Sequence, residues 1–287
     1  MAVDLRNRLA ALAGVALSAT VVFDHPSPQA VTQFLLEEMK LKTAKAKPAP
    51  LSAPSSEDPI AVVSLACRFP GGVTTPEAFW ELLDSGRDAI TEVPRQRWNI
   101  DEHFDADPDA GGKTYSRWGG FVGDIERFDA SFFGISPREA RSIDPQQRLL
   151  LETSWEAFER AGYTQERLRN SDTGVYVGIC GTEYQVTAMA DVDGIDAYSL
   201  IGTAHSGIVG RISYWLGLEG PNFPVDTACS SSLVALHLAC QALRQRECSM
   251  ALVAGVNLIL SPHSHIYFSR LKAMSPTGRS RAFSADA

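Results

Sequence analysis

The chain has no C-x-x-C pair, and its five cysteines, Cys67, Cys180, Cys229, Cys240 and Cys248, form an odd, scattered set. That excludes a disulfide framework and a zinc site of ordinary ligand spacing. It fits a reducing, cytoplasmic setting in which most thiols are buried as small hydrophobes. Positive charge is also short: Lys and Arg number 26 against 34 Asp and Glu, a formal charge of −8. A nucleic-acid partner, which needs a basic face for phosphate, is therefore not expected. No apolar run reaches the roughly 20 residues of a membrane span. "AGGKTYSR" would need glycine at position 107 to complete a phosphate loop. That residue is Asp107, and no strand signal precedes it.

What is present is a soluble globular composition, 45% hydrophobic and 21% charged over 287 residues, enough for one large domain or two smaller ones. The opening "RNRLAALAGVALSATVVF" has the look of a signal peptide. Asp4 in its leading stretch, and Leu5, Leu9 and Leu12 at i, i+4, i+7, instead predict an amphipathic helix that stops at Gly14. "SATVVFDHPSPQ" connects it to a second helix over "QAVTQFLLEEM". Two helices this short bury too little surface to stand alone. "LKTAKAKPAPLSAPSSED" then reads as a solvated tether.

From Pro59 the apolar run "IAVVSLAC" predicts a buried strand, and "TPEAFWELLDSG" a short helix ended by Gly86. Between Ala89 and Pro137 lies a long irregular region, the kind of loop that carries function or packs over it. "DPQQRLLLETSWEAFERAG" is the clearest helix. Asp144 suits its N-cap, Pro145 its first position and Gln147 a capping box; Leu151, Trp155 and Phe158 share a face, and Gly162 ends it. "TGVYVGI", "NFPVDTA" and "MALVAGVNLIL" predict further strands, which gives a largely parallel α/β sheet.

One cysteine sits at a junction. If "FPVDTA" is a strand and "SSSLVALHLACQAL" a helix with Leu233, Leu236, Cys240 and Leu243 on one face, Cys229 lies at the helix N-terminus. Unpaired N–H groups and the macrodipole there favour an anion, and the thiolate is the reactive form of cysteine. The same N–H groups would suit an oxyanion, and a nucleophile on a sharp strand-to-helix elbow recurs in acyl transfer. The plainer reading of a lone cysteine is a small residue buried at a tight turn. Cys67, Cys180, Cys240 and Cys248 take that reading, each lying in an apolar strand or on a helix. His205 and His237 read as packing or surface residues, and His263 and His265 lack the carboxylate or thiol a metal site would add.

"DTACSSSLVALHLA" resembles the active-site signature of β-ketoacyl synthases, specifically the ketosynthase domains of modular type I polyketide synthases. "DPIAVVSLACRFPGGVTTPEAFWELLDSGRDAI", "FDASFFGISPREARSIDPQQRLLLETSWEAFERAG", "HSGIVGRISYWLGLEGP" and "MSPTGRSRAFSADA" resemble other stretches of that domain. The resemblance implies a thiolase-like α/β fold, its first half, over residues 58–287, and makes Cys229 the acyl-accepting nucleophile. Residues 1–40 resemble the C-terminal part of an acyl carrier domain, a partial helical bundle, with 41–57 as linker. The carrier's phosphopantetheine serine would fall just before Met1, so no cofactor is expected on this chain. The implied partners are carrier domains with acyl and malonyl thioesters, other synthase domains, and a second copy in a homodimer.

The two histidine motifs that stabilise the condensing enolate in that family, H-G-T-G-T and G-H, do not occur in the sequence. The expectation is therefore a chain that does not condense by itself and exposes faces the missing half would cover. At ~25 cal/mol per Å2, a few hundred Å2 of such surface offsets a typical stability margin, and aggregation or pairing would follow. A non-catalytic gene fragment or half of a split module are the alternatives. A thiolase acting on coenzyme A esters is a weaker rival, disfavoured by the carrier-like opening.

Overall fold

A computed structural model describes residues 2–18, 21–25, 27–39 and 59–285. By its contacts the chain divides into two units, Met1–Glu57 and Asp58–Ala287.

In the first unit, α1 (Ala2–Ala13) ends where Gly14 takes φ +67° and returns its N–H to the Ala10 carbonyl at 3.0 Å. The connection predicted as plain chain holds a one-turn helix, α2 (Val21–Asp24). α3 (Pro28–Glu38) starts on Ser27, whose Oγ accepts from the Ala30 N–H at 3.1 Å, with Pro28 where no N–H is needed. The Leu5–Leu9–Leu12 stripe is not a buried face, because Leu5 and Leu12 are exposed. Burial falls instead on Leu17 and Val21, around the turn that the extra helix makes. The predicted tether over 41–57 lies outside the described residues.

The second unit opens with a departure. "IAVVSLAC" forms no strand. A strand needs a neighbour for its backbone groups, and among the described residues none lies alongside; Val62, Val63 and Leu65 stay exposed. α4 (Pro76–Asp84) follows, capped by the Thr75 side chain and closed by Gly86 at φ +62°. The long region after Ala89 contains one two-residue antiparallel ladder, β1 (Thr91–Glu92) with β2 (Trp118–Gly119), over a small core of Val93, Trp98 and Ile100.

α5 (Pro137–Ser142) leads into α6 (Pro145–Arg160), where the Asp144 carboxylate accepts from the Gln146 N–H at 2.8 Å. The capping box does not close. Gln147 turns away from the helix start, its Oε1 accepting from Arg211 Nε at 3.1 Å, because α6 is buried there against the helix His205–Leu216 and an arginine competes for the amide. Leu151 and Phe158 are buried as expected, and Gly162 sits at φ +76° after the helix.

α7 (Gln165–Leu168) precedes β3 (Gly174–Gly178), the middle of the sheet. Then come α8 (Glu183–Ala188), α9 (Ser199–Thr203), α10 (His205–Leu216), β4 (Asn222–Val225), α11 (Ser231–Gln245), β5 (Ala251–Gly255) and α12 (His263–Arg270). The strands run in the order β4-β3-β5, all parallel, with Gly178 in register with both Val225 and Gly255. Every residue of β3 is buried. Val175 and Val177 pack with Ile208, Val209, Ile212 and Leu216 of α10 and Leu151 and Phe158 of α6. Tyr176 faces the other way, onto α11. The result is a parallel sheet between two helical layers, the architecture its alternating strands and helices predict.

The sheet-facing side of α11 differs from the predicted leucine stripe. Ser231, Ala235, Ala239 and Ala242 are buried, whereas Leu233 and Leu236 are exposed. The helix start lies so close to the strand ends that only small side chains fit between them. A β-carbon on Gly255 would come within 2.7 Å of Ser232 Cβ.

Candidate active site

The parallel register brings the carboxyl ends of β3, β4 and β5 to one edge, the position at which parallel α/β sheets present functional groups. Beyond that edge the strands still hold together: Ile179 N–H donates to the Val225 carbonyl and Val256 N–H to the Gly178 carbonyl, both at 3.0 Å. β4 then turns sharply through Asp226–Ser230 into α11.

Ala228 makes that turn in the left-handed region, at φ +55°. A residue with a β-carbon pays roughly 1–2 kcal/mol there, so the turn must be held by its surroundings. The Asp226 carboxylate accepts from the Ala228 N–H at 3.1 Å. Ser231 Oγ accepts from the Thr227 N–H at 2.9 Å and donates to the Ala228 carbonyl at 2.7 Å, bracketing the strained residue. The Thr227 and Ser230 hydroxyls lie 2.8 Å apart, and Ser230 Oγ also donates to the Thr227 carbonyl at 2.9 Å. Short polar side chains are what such local backbone bonding requires, which accounts for the Thr-Ala-Cys-Ser-Ser-Ser composition.

Cys229 follows the strained residue, inside a one-turn 3-10 segment (Ala228–Ser230) that runs directly into the 15-residue α11. Its side chain is exposed. No side-chain cap bonds the first amides of α11, so the helix's positive end faces the region of the thiol. The plain alternative for this cysteine, burial at a tight turn, is incompatible with its exposure.

The other thiols divide differently from expectation. Cys248 is buried, Cys67 and Cys240 are half-buried, and Cys180 is exposed. Cys180 lies just past the end of β3, in the continuation that borders the elbow. The desolvation it undergoes beside the elbow, and after it Asp226 and Cys229, push its pKa up. Its position could not be read from "VGICG" because it depends on pairing between residues about fifty apart in sequence.

Behind the elbow lies a buried polar link that sequence reasoning missed. Gln146 Oε1 accepts from the Leu258 N–H at 3.1 Å, and its Nε2 reaches the Gly181 carbonyl at 3.4 Å and Asp144 Oδ2 at 3.3 Å. One side chain thus fastens the loops after β3 and β5 to the start of α6. Burial raises the Asp144 pKa, opposed by the hydrogen bonds from Gln146. His205 Nε2 meets the same Gly181 carbonyl at 3.1 Å. Glu183 ties down the next loop: Oε2 accepts from the Leu260 and Ser261 N–H groups at 2.8 and 3.0 Å, and Oε1 from the Ser264 hydroxyl.

Three other histidines bond neither Gln146 nor Gly181. His237 is exposed and pairs with Gln241; His263 bonds Ser261; His265 is buried against Trp98 and Phe121, with Nε2 3.2 Å from the Trp118 carbonyl. Among the described residues no group of three or more histidine, cysteine or acidic side chains converges as a metal site would, and no helix is long and apolar enough to cross a membrane.

Residues 57–287 match the family described as Beta-ketoacyl synthase, N-terminal domain. The whole chain aligns with polyketide synthase GfsB of Streptomyces halstedii at 50% identity, covering 5% of that protein. It aligns with erythronolide synthase EryA3 of Saccharopolyspora erythraea at 48%, covering 9%. The chain therefore spans a small share of the length of these relatives. Among solved structures, the oxazolomycin ketosynthase domain OzmH KS7 of Streptomyces albus superposes with a TM-score of 0.74 at 38% identity, over 79% of this chain and 39% of that one. A ketosynthase from the bacillaene synthase of Bacillus subtilis gives 0.66 at 39% identity, over 75% and 35%. At these identities the fold is the thiolase-like ketosynthase fold.

Proposed function

The chain belongs to the β-ketoacyl synthase N-terminal domain family, and from that premise we propose that residues 58–287 supply the acyl-accepting half of a ketosynthase in a modular polyketide synthase. The observation that carries this reading is the exposed Cys229 thiol beyond a strained elbow, at the carboxyl ends of three parallel strands.

In the proposed reaction the Cys229 sulfur attacks the carbonyl carbon of an acyl thioester borne on a carrier's phosphopantetheine. The carbonyl oxygen takes up negative charge, which N–H groups at the start of α11 are positioned to offset. Collapse expels the carrier thiol and leaves the acyl group on Cys229. The hydroxyls of Thr227, Ser230 and Ser231 serve as positioning groups, fixing the backbone from which the sulfur projects.

The second stage is decarboxylation of a malonyl-type carrier thioester, followed by attack of its enolate on the Cys229 thioester. That stage draws on two histidines in motifs that these 287 residues do not contain, and the step we assign to these residues is acylation. Residues 1–40 are read as the C-terminal part of a carrier domain and 41–57 as the linker. The partners proposed are carrier domains, other synthase domains and a second copy in a homodimer, in a cytoplasmic setting.

Acylation is directly measurable. Incubation with a short acyl thioester of N-acetylcysteamine, followed by peptide mass spectrometry, should place one hydroxylamine-labile acyl group on Cys229. Cys229→Ala should abolish it. Labelling spread over Cys67, Cys180 and Cys240, or unaffected by the substitution, would overturn the assignment.

A further inference from the structure

Cys180 has no part in the acylation chemistry, yet it borders the junction from which the nucleophile projects. β3 and β4 are parallel with Gly178 opposite Val225, and the pairing continues one step through the Ile179 N–H to Val225 carbonyl bond at 3.0 Å. Cys180 follows Ile179 on one strand's continuation; Cys229 lies four residues past Val225 on the other. That second path does not run on in extended form. It folds back at Ala228 (φ +55°) into a 3-10 turn and then α11.

The start of α11 closes over the end of β3. A β-carbon on Gly178 would be 2.5 Å from Ser232 N and 2.6 Å from Ser231 C. Cys180 is two residues beyond Gly178, and Cys229 is three residues before Ser232, so the two thiols border the same narrow junction. Both residues are exposed, and Cys229 is among the groups that raise the Cys180 pKa.

We propose that Cys180 and Cys229 form an oxidative modification site, closing to an intramolecular disulfide under a peroxide and reopening under a dithiol. In the first step the Cys229 sulfur attacks hydrogen peroxide. The O–O bond breaks, the sulfur is oxidised to sulfenic acid, and one water leaves. In the second, the Cys180 sulfur attacks the sulfenic sulfur, forming the S–S bond and expelling the second water. Two thiols are oxidised, one peroxide is reduced to two waters, and the two thiol protons end on those waters. Cys229, at the positive end of α11, is the first attacker, and Cys180 is the resolving thiol. The bridge would cap the sulfur that receives the acyl group and keep it from the irreversible sulfinic state. This inference does not require that Cys229 be acylated, and its test reads the sulfur atoms alone.

The whole chain is treated with hydrogen peroxide, blocked with N-ethylmaleimide and mapped by mass spectrometry without reductant. The expected product is a monomer lighter by two hydrogens, with a peptide pair joining Cys180 to Cys229 that dithiothreitol separates. Cys180→Ser should remove the pair and drive Cys229 to sulfinic or sulfonic acid. Because the wild-type map is decisive by itself, a poorly folding variant would not rescue the idea. Sulfinic Cys229 beside a maleimide-blocked Cys180 in wild type, or a bridge to Cys67, Cys240, Cys248 or another molecule, would overturn it.

Discussion

A β-carbon placed on Gly178 would sit 2.5 Å from the backbone nitrogen of Ser232. This glycine is not required by its dihedral angles; it is required because the first turn of α11 occupies the space a side chain would need. Gly178→Ala should therefore cost about 1–3 kcal/mol or more as overpacking, read as a lower urea midpoint. Gly111→Ala, where nothing lies within 4 Å of the added carbon, should change the midpoint little. Equal effects at the two positions would refute the close approach.

Strain at Ala228 gives the opposite expectation. Ala228→Gly removes the left-handed penalty at φ +55° while adding the chain entropy of glycine, so the net should be a gain on the order of 0.5–1 kcal/mol. Differential scanning calorimetry would show a raised Tm. A lowered Tm would mean that the elbow is not strained there.

Glu183 holds two backbone N–H groups and a hydroxyl with one carboxylate. Hydrogen bonds to a charged acceptor contribute roughly 1.5–3 kcal/mol each when buried, less when half-exposed. Glu183→Gln should thus destabilise by about 1–2 kcal/mol and accelerate amide hydrogen exchange at Leu260 and Ser261. Unchanged exchange at those two amides would show that the staple is not formed.

The buried His265 predicts a pH dependence. Burial lowers its pKa, and the Trp118 carbonyl and Glu183 pull it partly back. With the folded value below the unfolded one near 6.5, the native state binds fewer protons. The stability this contributes is complete above about pH 6.5 and is lost as pH falls through the folded pKa. The melting temperature should decline from pH 7 to pH 5 more steeply in wild type than in His265→Gln. Parallel slopes would remove His265 as the cause.

Local signals found what local physics determines. The Asp144 cap, the glycine stops at Gly86 and Gly162, and the strand-to-helix placement of Cys229 are all set by residues within a few positions of one another. What escaped the sequence depends on distant neighbours. "IAVVSLAC" has every strand preference but, among the described residues, no strand beside it to bond. α11 carries two overlapping stripes, and the stronger leucine stripe loses because Gly178 and Gly255 draw the alanine side against the sheet. Cys180 looked like the tail of a buried strand, and its exposure beside Cys229 follows from a register that no short window encodes. Gln147 has the spacing for a capping box, yet Arg211, 64 positions away, takes the amide.

The strand order β4-β3-β5 also governs how the protein can be made. β3 is the middle strand, but both of its neighbours come later in the chain, and β5 finishes 77 residues after β3 does. At ~5–20 residues per second of synthesis, Val175 and Val177 leave the ribosome about 4–15 s before the last strand that flanks them. Through that interval the most apolar segment of the sheet has two vacant edges. Nascent chains paused between β3 and β5 should accordingly be the ones that chaperones hold.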